Sequence, residues 1–176
     1  MACFFVCKSG HSGDPFPSLN RPSVFTVDPK RLVFLTDTSS SKSESPPVIT
    51  DQMKVIVDTH YAVEHSDPAA WRYVFVYHIH IQNVGDETAQ LFWRHWRIHD
   101  LVAGDHEVEG EGVVGESPTL GPGEEHKYQS FCVLRGPSGH MEGYYHYRRQ
   151  DGSVFKGPIP RFQLQAPPEA IGALLA

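Results

Sequence analysis

The run Gly110-Glu111-Gly112-Val113-Val114-Gly115 has the GxGxxG spacing of a turn that cradles phosphate. In that chemistry a strand delivers the chain to the glycines. A helix then opens on them and aims its first backbone N–H groups at a pyrophosphate. Here the following residues are Glu116, Ser117, Pro118, Gly121, Pro122 and Gly123, which is loop composition. Asp105, Glu107, Glu109, Glu111 and Glu116 surround the motif and would repel a phosphate. Two readings follow. One is a pyrophosphate-bearing nucleotide held at Gly110, Gly112 and Gly115. The other is a strand-to-strand crossover that needs positive φ and close backbone approach, which the charge and the missing helix favour.

Two further groupings have the residue types of a metal site. Asp105, Glu107, Glu109 and Glu111 alternate, so on an extended strand they form an acidic ladder with about 7 Å between steps. Oxygen ligands of this kind suit Mg²⁺, but at that spacing they do not close an octahedral cage. The competing reading is a charged edge strand that blocks aggregation. His78 and His80 share one face of a strand and could meet one transition metal, with His60, His65, His95 and His99 on other segments. Against this stands a half-exposed face of polar rings, because no third ligand is fixed by spacing. Cys3 and Cys7 lack enough neighbours for a closed zinc site.

Trp93, His95 and Arg97 alternate with Phe92, Arg94, Trp96 and Ile98. The second set is expected to face the core. The first, joined by Leu91, is expected on the opposite face, where an exposed Trp beside Arg has the composition of a protein-interaction hot spot. Trp93 packed under a loop is the other reading. Ser130 and Cys132 lie on a strand with no activating base at a recognisable spacing, so no catalytic residue is assigned and no enzyme is expected.

The elements that must position these residues read as strands. From Met53 the periodicity is two: Val55 and Val57 alternate with Lys54 and Ile56, and Tyr73, Phe75, Tyr77, Ile79 and Ile81 alternate with Val74, Val76, His78 and His80. Further strands are expected over 90–99, 125–134 and 141–149, with a tight turn at Asp151-Gly152 and closing segments at Val154-Phe155 and Phe162-Gln163-Leu164. Seven or eight short strands without a long helical pattern predict an all-β, antiparallel β-sandwich of fibronectin-III/Ig-like type. That architecture lacks the βαβ unit of a dinucleotide site.

The chain has 176 residues, a net charge of −6 and 11 histidines. Its acidity argues against nucleic acid or an anionic membrane as partner. No apolar run reaches the length of a membrane-spanning helix and no signal peptide is evident, which excludes a chain acting alone as an efflux pump or channel. Three cysteines give no disulfide framework and predict reduced thiols in the cytoplasm. Residues 1–52 are rich in proline and, over Thr38–Ser45, in serine. They are expected to form a flexible, largely disordered tail with one extended piece at Leu32-Val33-Phe34-Leu35, and Met53 is an alternative start of the chain. Residues 53–167 would form the sandwich and 168–176 a short C-terminal tail.

The ordered motifs also resemble a known family. Tyr77-x-Ile79-x-Ile81-x-Asn83, Arg94-x-Trp96-x-Ile98, Val108-x-Gly110-Glu111-Gly112-Val113-Val114-Gly115, Pro118-x-Leu120-x-Pro122-Gly123-Glu124, Gly139-x-Met141-x-Gly143-x-Tyr145 and Ile159-Pro160-x-Phe162-x-Leu164 are similar, in order and spacing, to the ApaG domain. The resemblance covers about residues 53–167. It implies a fibronectin-III-like sandwich that occurs as a stand-alone bacterial protein or as a module mediating protein–protein contacts. It also carries a link in name to cobalt and magnesium resistance and to a diadenosine tetraphosphatase operon, with no catalytic residues and no cofactor assigned. The chain departs from the pattern at Leu101-Val102-Ala103-Gly104, an apolar turn, and at Phe131-Cys132. The expectation is a protein partner, as a monomer or weak dimer, with a divalent cation or a nucleotide as the alternative ligand.

Overall fold

The computed structural model describes residues 43–50 and 52–172. The flexible-tail expectation for residues 1–42 lies outside these, as do the extended piece at 32–35, Cys3, Cys7 and residues 173–176.

Met53–Tyr61 (β3) and Tyr73–Asn83 (β4) are strands: every second residue of β3 is buried, and β4 opens with five consecutive buried apolar residues, Tyr73 to Tyr77, before it alternates. They pair antiparallel from Met53 opposite Asn83 to Tyr61 opposite Phe75. Glu125–Leu134 (β8) extends this sheet beyond β4. Two short strands, Ser43–Glu44 (β1) and Val48–Thr50 (β2), line the other side of β3, so the sheet takes in residues ahead of the expected boundary at 53. The second sheet runs Val154–Gln165 (β10), Ser138–Arg149 (β9), Ala89–Asp100 (β5), Gly104–Glu111 (β6), with Thr119–Leu120 (β7) also on β5. The strand order β3-β4-β8 against β10-β9-β5-β6 is the three-plus-four sandwich of the fibronectin-III type. β3, β4, β5, β8 and β9 fall where the periodicity predicts strands, whereas the two expected closing segments at 154–155 and 162–164 are parts of one continuous strand, β10. A single helical turn, Pro168–Gly172, follows β10.

Between the sheets Trp96 lies 5.8 Å from Tyr77 and edge-on to Phe162 and Tyr145 at 5.9 and 6.3 Å. These rings prefer tilted and edge-on contacts, which fixes how the sheets sit on one another. Cys132 is fully buried in this core. One expected strand face needs correction. A register shift between Leu91 and Trp93 inserts an extra residue into β5. Leu91 therefore joins the core, whereas Phe92 turns outward with the Arg148 guanidinium 4.5 Å above its ring. Strict alternation does not anticipate a bulge.

Asp100 ends β5 and ties the two sheets together at one end of the sandwich. Its buried carboxylate accepts backbone N–H bonds from Val102, Ala103 and Gly136 on one oxygen and from Arg135 on the other. Burial pushes its pKa up, but the four N–H donors outweigh this and hold it below the usual Asp value. A lowered folded-state pKa means that the carboxylate stabilises the fold above the unfolded value near 3.9 and that this is lost as pH falls through the folded value. Asp100→Asn should destabilise the protein by about 2–3 kcal/mol at pH 7, because an amide cannot accept at all four donors. In urea titrations the variant should also lose less stability than wild type between pH 5 and pH 3. An equal slope in both proteins would show that Asp100 is not the responsible carboxylate.

Candidate functional site

The outer face of the second sheet gathers most of the chemically distinctive side chains. The register of β5 against β6 sets Asp105 beside His99, Glu107 beside Arg97, Glu109 beside His95 and Glu111 beside Trp93. On the other side of β5, β9 sets His140, Glu142, Tyr144 and His146 opposite His99, Arg97, His95 and Trp93. Period two on all three strands brings every member of these rows to one face. The acidic ladder (Asp105, Glu107, Glu109) and the interaction patch (Trp93, His95, Arg97) thus belong to one surface.

The rows are linked by contacts. His95 lies flat on Tyr144, with ring centres 4.7 Å apart, and its two nitrogens are 3.7 and 3.6 Å from Glu107 and Glu109. Lys156 Nζ sits 4.1 Å from the centre of the Tyr144 ring, a cation–π contact. Glu142 accepts from Arg97 at 2.7 Å and from Arg161 at 2.8 Å. His99 is bonded to Asp105 and stacks on His140 at 4.8 Å. Arg97, His99, Asp105, His140, Glu142 and Arg161 border an open hollow of about 420 Å³. Trp93 is half-buried and Arg97 is exposed.

Charge on this face follows from its neighbours. The hydrogen bond from His99 holds the Asp105 carboxyl below its ordinary pKa, against a smaller opposing effect of burial. Arg161, by hydrogen bond and charge, does the same to Glu142, and Glu142 raises Arg161 in return. Burial, then the charges of Arg161 and His99, lowers His140. Burial, then Lys156 and His95, lowers His146. At neutral pH the face therefore presents ionised carboxylates, guanidinium groups and two neutral imidazoles. No nucleophile with an adjacent base stands among them.

The two remaining candidate groups lie elsewhere. His78 and His80 are on the outer face of the first sheet, on the opposite side of the sandwich. His78 stacks on His60 at 5.5 Å, and His80 Nε2 is 3.0 Å from Glu125. Among the described residues no group of three or more His, Cys, Asp or Glu side chains is arranged to hold a metal ion.

The glycine run ends β6 and wraps a buried arginine. Arg94 Nη1 donates to the Glu111 carbonyl at 2.6 Å and to the Gly112 carbonyl at 2.8 Å. Gly110 faces the same guanidinium: a Cβ there would sit 3.0 Å from Nη2. The Gly112, Val113 and Glu116 N–H groups donate to the carbonyls of Phe92, Glu116 and Val113. No helix opens on the loop; Val113 and Glu116 form a bridge instead. Arg94 also lies near the Tyr128–Tyr145 hydroxyl pair, 2.5 Å apart. Burial pushes the Tyr128 hydroxyl well up, and the Arg94 charge acts in the opposite sense.

Several residues of the face were not singled out in the sequence. His140, Glu142, Tyr144, His146 and Arg148 alternate along β9 just as Trp93, His95 and Arg97 do along β5. The signal was present, but which strands are neighbours is a property of the fold. Lys156 and Arg161 carried none, because a register shift between Ile159 and Phe162 breaks the alternation on β10.

The loop geometry separates two glycines. Gly112 has φ +53° and a Cβ would lie 2.0 Å from the Glu116 carbonyl oxygen, whereas Gly115 has φ +81° and open space around it. Gly112→Ala should cost about 3 kcal/mol or more, from positive-φ strain plus a backbone clash, and Gly115→Ala about 1 kcal/mol from strain alone. Equal losses in thermal or urea unfolding would contradict this geometry.

Comparison with known proteins agrees with this architecture. The ApaG domain profile matches residues 63–149. Protein ApaG of Thiobacillus denitrificans is 49% identical over 116 residues, 66% of this chain and 91% of that protein. Protein ApaG of Nitrosospira multiformis is 47% identical over 116 residues, again 66% and 91%. The crystal structure of a protein named putative ApaA from Bordetella pertussis superposes with a TM-score of 0.64 at 43% identity, covering 69% of this chain and 99% of that one. With two-thirds of its length aligned to nearly the whole of such relatives, the chain belongs to the ApaG domain family.

Proposed function

We propose that the protein is a non-enzymatic binding module that docks a protein partner on the outer face of its second sheet. The observation that carries this reading is the row structure of that face. Trp93, His95 and Arg97 run down its middle, flanked by Tyr144 and His146 on one side and by Glu107 and Glu109 on the other. Trp, Tyr and Arg are the residue types that anchor protein interfaces, because they bring large contact area and directional polar groups. The ion pairs of the face are exposed: Arg97 and Arg161 keep 60% and 56% of their side-chain surface. Pairs of that kind contribute about 0–1 kcal/mol each and are readily exchanged for a partner's charges.

The buried Cys132 fits a cytoplasmic setting, and no helix among the described residues is long and apolar enough to cross a membrane. The reading of the chain as a binder of divalent cations or of a pyrophosphate-bearing nucleotide gains less support. The loop carbonyls of Glu111 and Gly112 point at Arg94, and three of the loop's N–H groups are already engaged.

Trp93→Ala combined with Arg97→Ala should leave the melting temperature within a few degrees of wild type. It should weaken capture of a protein that co-purifies with wild type by about 30-fold, the equivalent of 2 kcal/mol at a hot spot. Undiminished capture would remove this face from the assignment. A saturable rise of melting temperature with Mg²⁺, Co²⁺ or a dinucleoside tetraphosphate would transfer the assignment to ligand binding.

A further inference from the structure

Four large apolar side chains lie exposed at one end of the sandwich: Val63 at 68%, Trp71 at 52%, Leu101 at 65% and Val102 at 51%. Val63 and Trp71 belong to the connection between β3 and β4, Leu101 and Val102 to the hairpin between β5 and β6. Asp100 joins that hairpin to the Arg135-Gly136 turn after β8, and Tyr73 is paired with Leu134, so all three connections share one end. Buried Ala62, Val74 and Val76, with half-buried Phe131 and Val133 packed on them, form a separate apolar cluster on the outer side of the first sheet. Single exposed apolar residues are ordinary, but of the seven exposed large apolar side chains among the described residues four lie at this one end.

The β3–β4 connection holds its shape. Ser66 Oγ donates to the Ala62 carbonyl and accepts from the Val74 N–H, and the Asp67 carboxylate accepts from the Ala70 N–H. Trp71 sits in the left-handed region at φ +53°, a conformation that a bulky residue adopts only when its surroundings impose it. The indole is thus exposed on an ordered turn.

The chain itself supplies an occupant. β1 runs antiparallel to β3 with Ser43 opposite Thr59 and Glu44 opposite Asp58. Traced backwards from Ser43, it therefore heads toward Tyr61 and the same apolar end. Upstream lie the polar residues Thr36 to Lys42 and then Leu32-Val33-Phe34-Leu35. Eight residue steps from Leu35 to Ser43 span up to about 26 Å. The distance to cover is about 14 Å across three strand spacings and about 10 Å between the sheets. We infer that the end formed by Val63, Trp71, Leu101 and Val102 is the docking site for Leu32-Val33-Phe34-Leu35 of the same chain. The four apolar residues cap the end, and the polar stretch 36–42 is the strap that delivers them. This contact is separate from the partner face on the second sheet.

The test is hydrogen–deuterium exchange by mass spectrometry on the full chain. Val33→Ser with Phe34→Ser should speed exchange at least tenfold in peptides covering 63–71 and 101–103, with β4 and β9 unchanged. Trp71→Ser with Leu101→Ser should in turn speed exchange over 32–36. Exchange unaltered at the far side in both variants would overturn the inference. So would a concentration-dependent dimer in sedimentation that Trp71→Ser with Leu101→Ser abolishes and Val33→Ser with Phe34→Ser leaves intact, since the occupant would then be a second copy.

Discussion

The buried guanidinium of Arg94 is the constraint around which one side of the sandwich is built. A charge taken from water costs several kcal/mol unless it is fully hydrogen-bonded. Arg94 points inward because it alternates in step with Trp96 and Ile98, on the far side of the bulge at Leu91/Trp93. Its donors then require carbonyl oxygens, which Glu111 and Gly112 supply only if the chain turns sharply at the end of β6. That turn needs positive φ at Gly112, Val114 and Gly115. It also needs a missing side chain at Gly110, where the guanidinium passes. The GxGxxG spacing is thus explained by a cation inside the protein. The polarity of the loop is the reverse of a phosphate cradle: carbonyls converge on a positive group, where a cradle would converge N–H groups on a negative one.

The same alternation governs the outer face. With Arg94 inward, Trp93, His95 and Arg97 turn outward in step, and the β5–β6 register places one acid of the ladder beside each. The carboxylates thereby acquire local partners, which holds Asp105 below its ordinary pKa. The inner face of β5 secures the fold through Trp96 and Ile98, and the outer face carries a surface of paired charges with little net sign. One strand carries both faces, so a substitution that disturbs its register alters the core and the charged surface together.

Much of this was legible in the sequence. Period-two alternation along the strands expected from Met53, from Tyr73, over 125–134 and over 141–149 was readable because each has one face against a continuous core; the last begins three residues earlier, at Ser138. The acidic and aromatic members of the outer face were visible as separate patterns on two strands. Their union was not, because pairing of β5 with β6 and β9 is decided by non-local contacts and turn geometry. The bulges at Leu91/Trp93 and Ile159/Phe162 were likewise silent, since an extra residue leaves no mark on a pattern that still reads as alternating on either side. His78 and His80 were correctly read as sharing a strand face, but that strand lies in the other sheet, away from the acidic ladder.

The position of the ladder bears on how a partner approaches. Among the described residues β6 is the edge of the second sheet, and a sheet edge invites strand addition. Along it Asp105, Glu107, Glu109 and Glu111 alternate with His106, Val108 and Gly110, all four carboxylates being exposed. A strand laid against this edge would have to bring side chains of opposite charge to every second position, and a second copy of β6 would oppose carboxylate with carboxylate. The ladder therefore makes this edge a poor match for a second copy of itself, while its His and Arg neighbours offset the charge of the broad face. On the docking face proposed above, Trp93, Arg97 and Tyr144 would offer side-chain anchors that do not depend on the geometry of this edge.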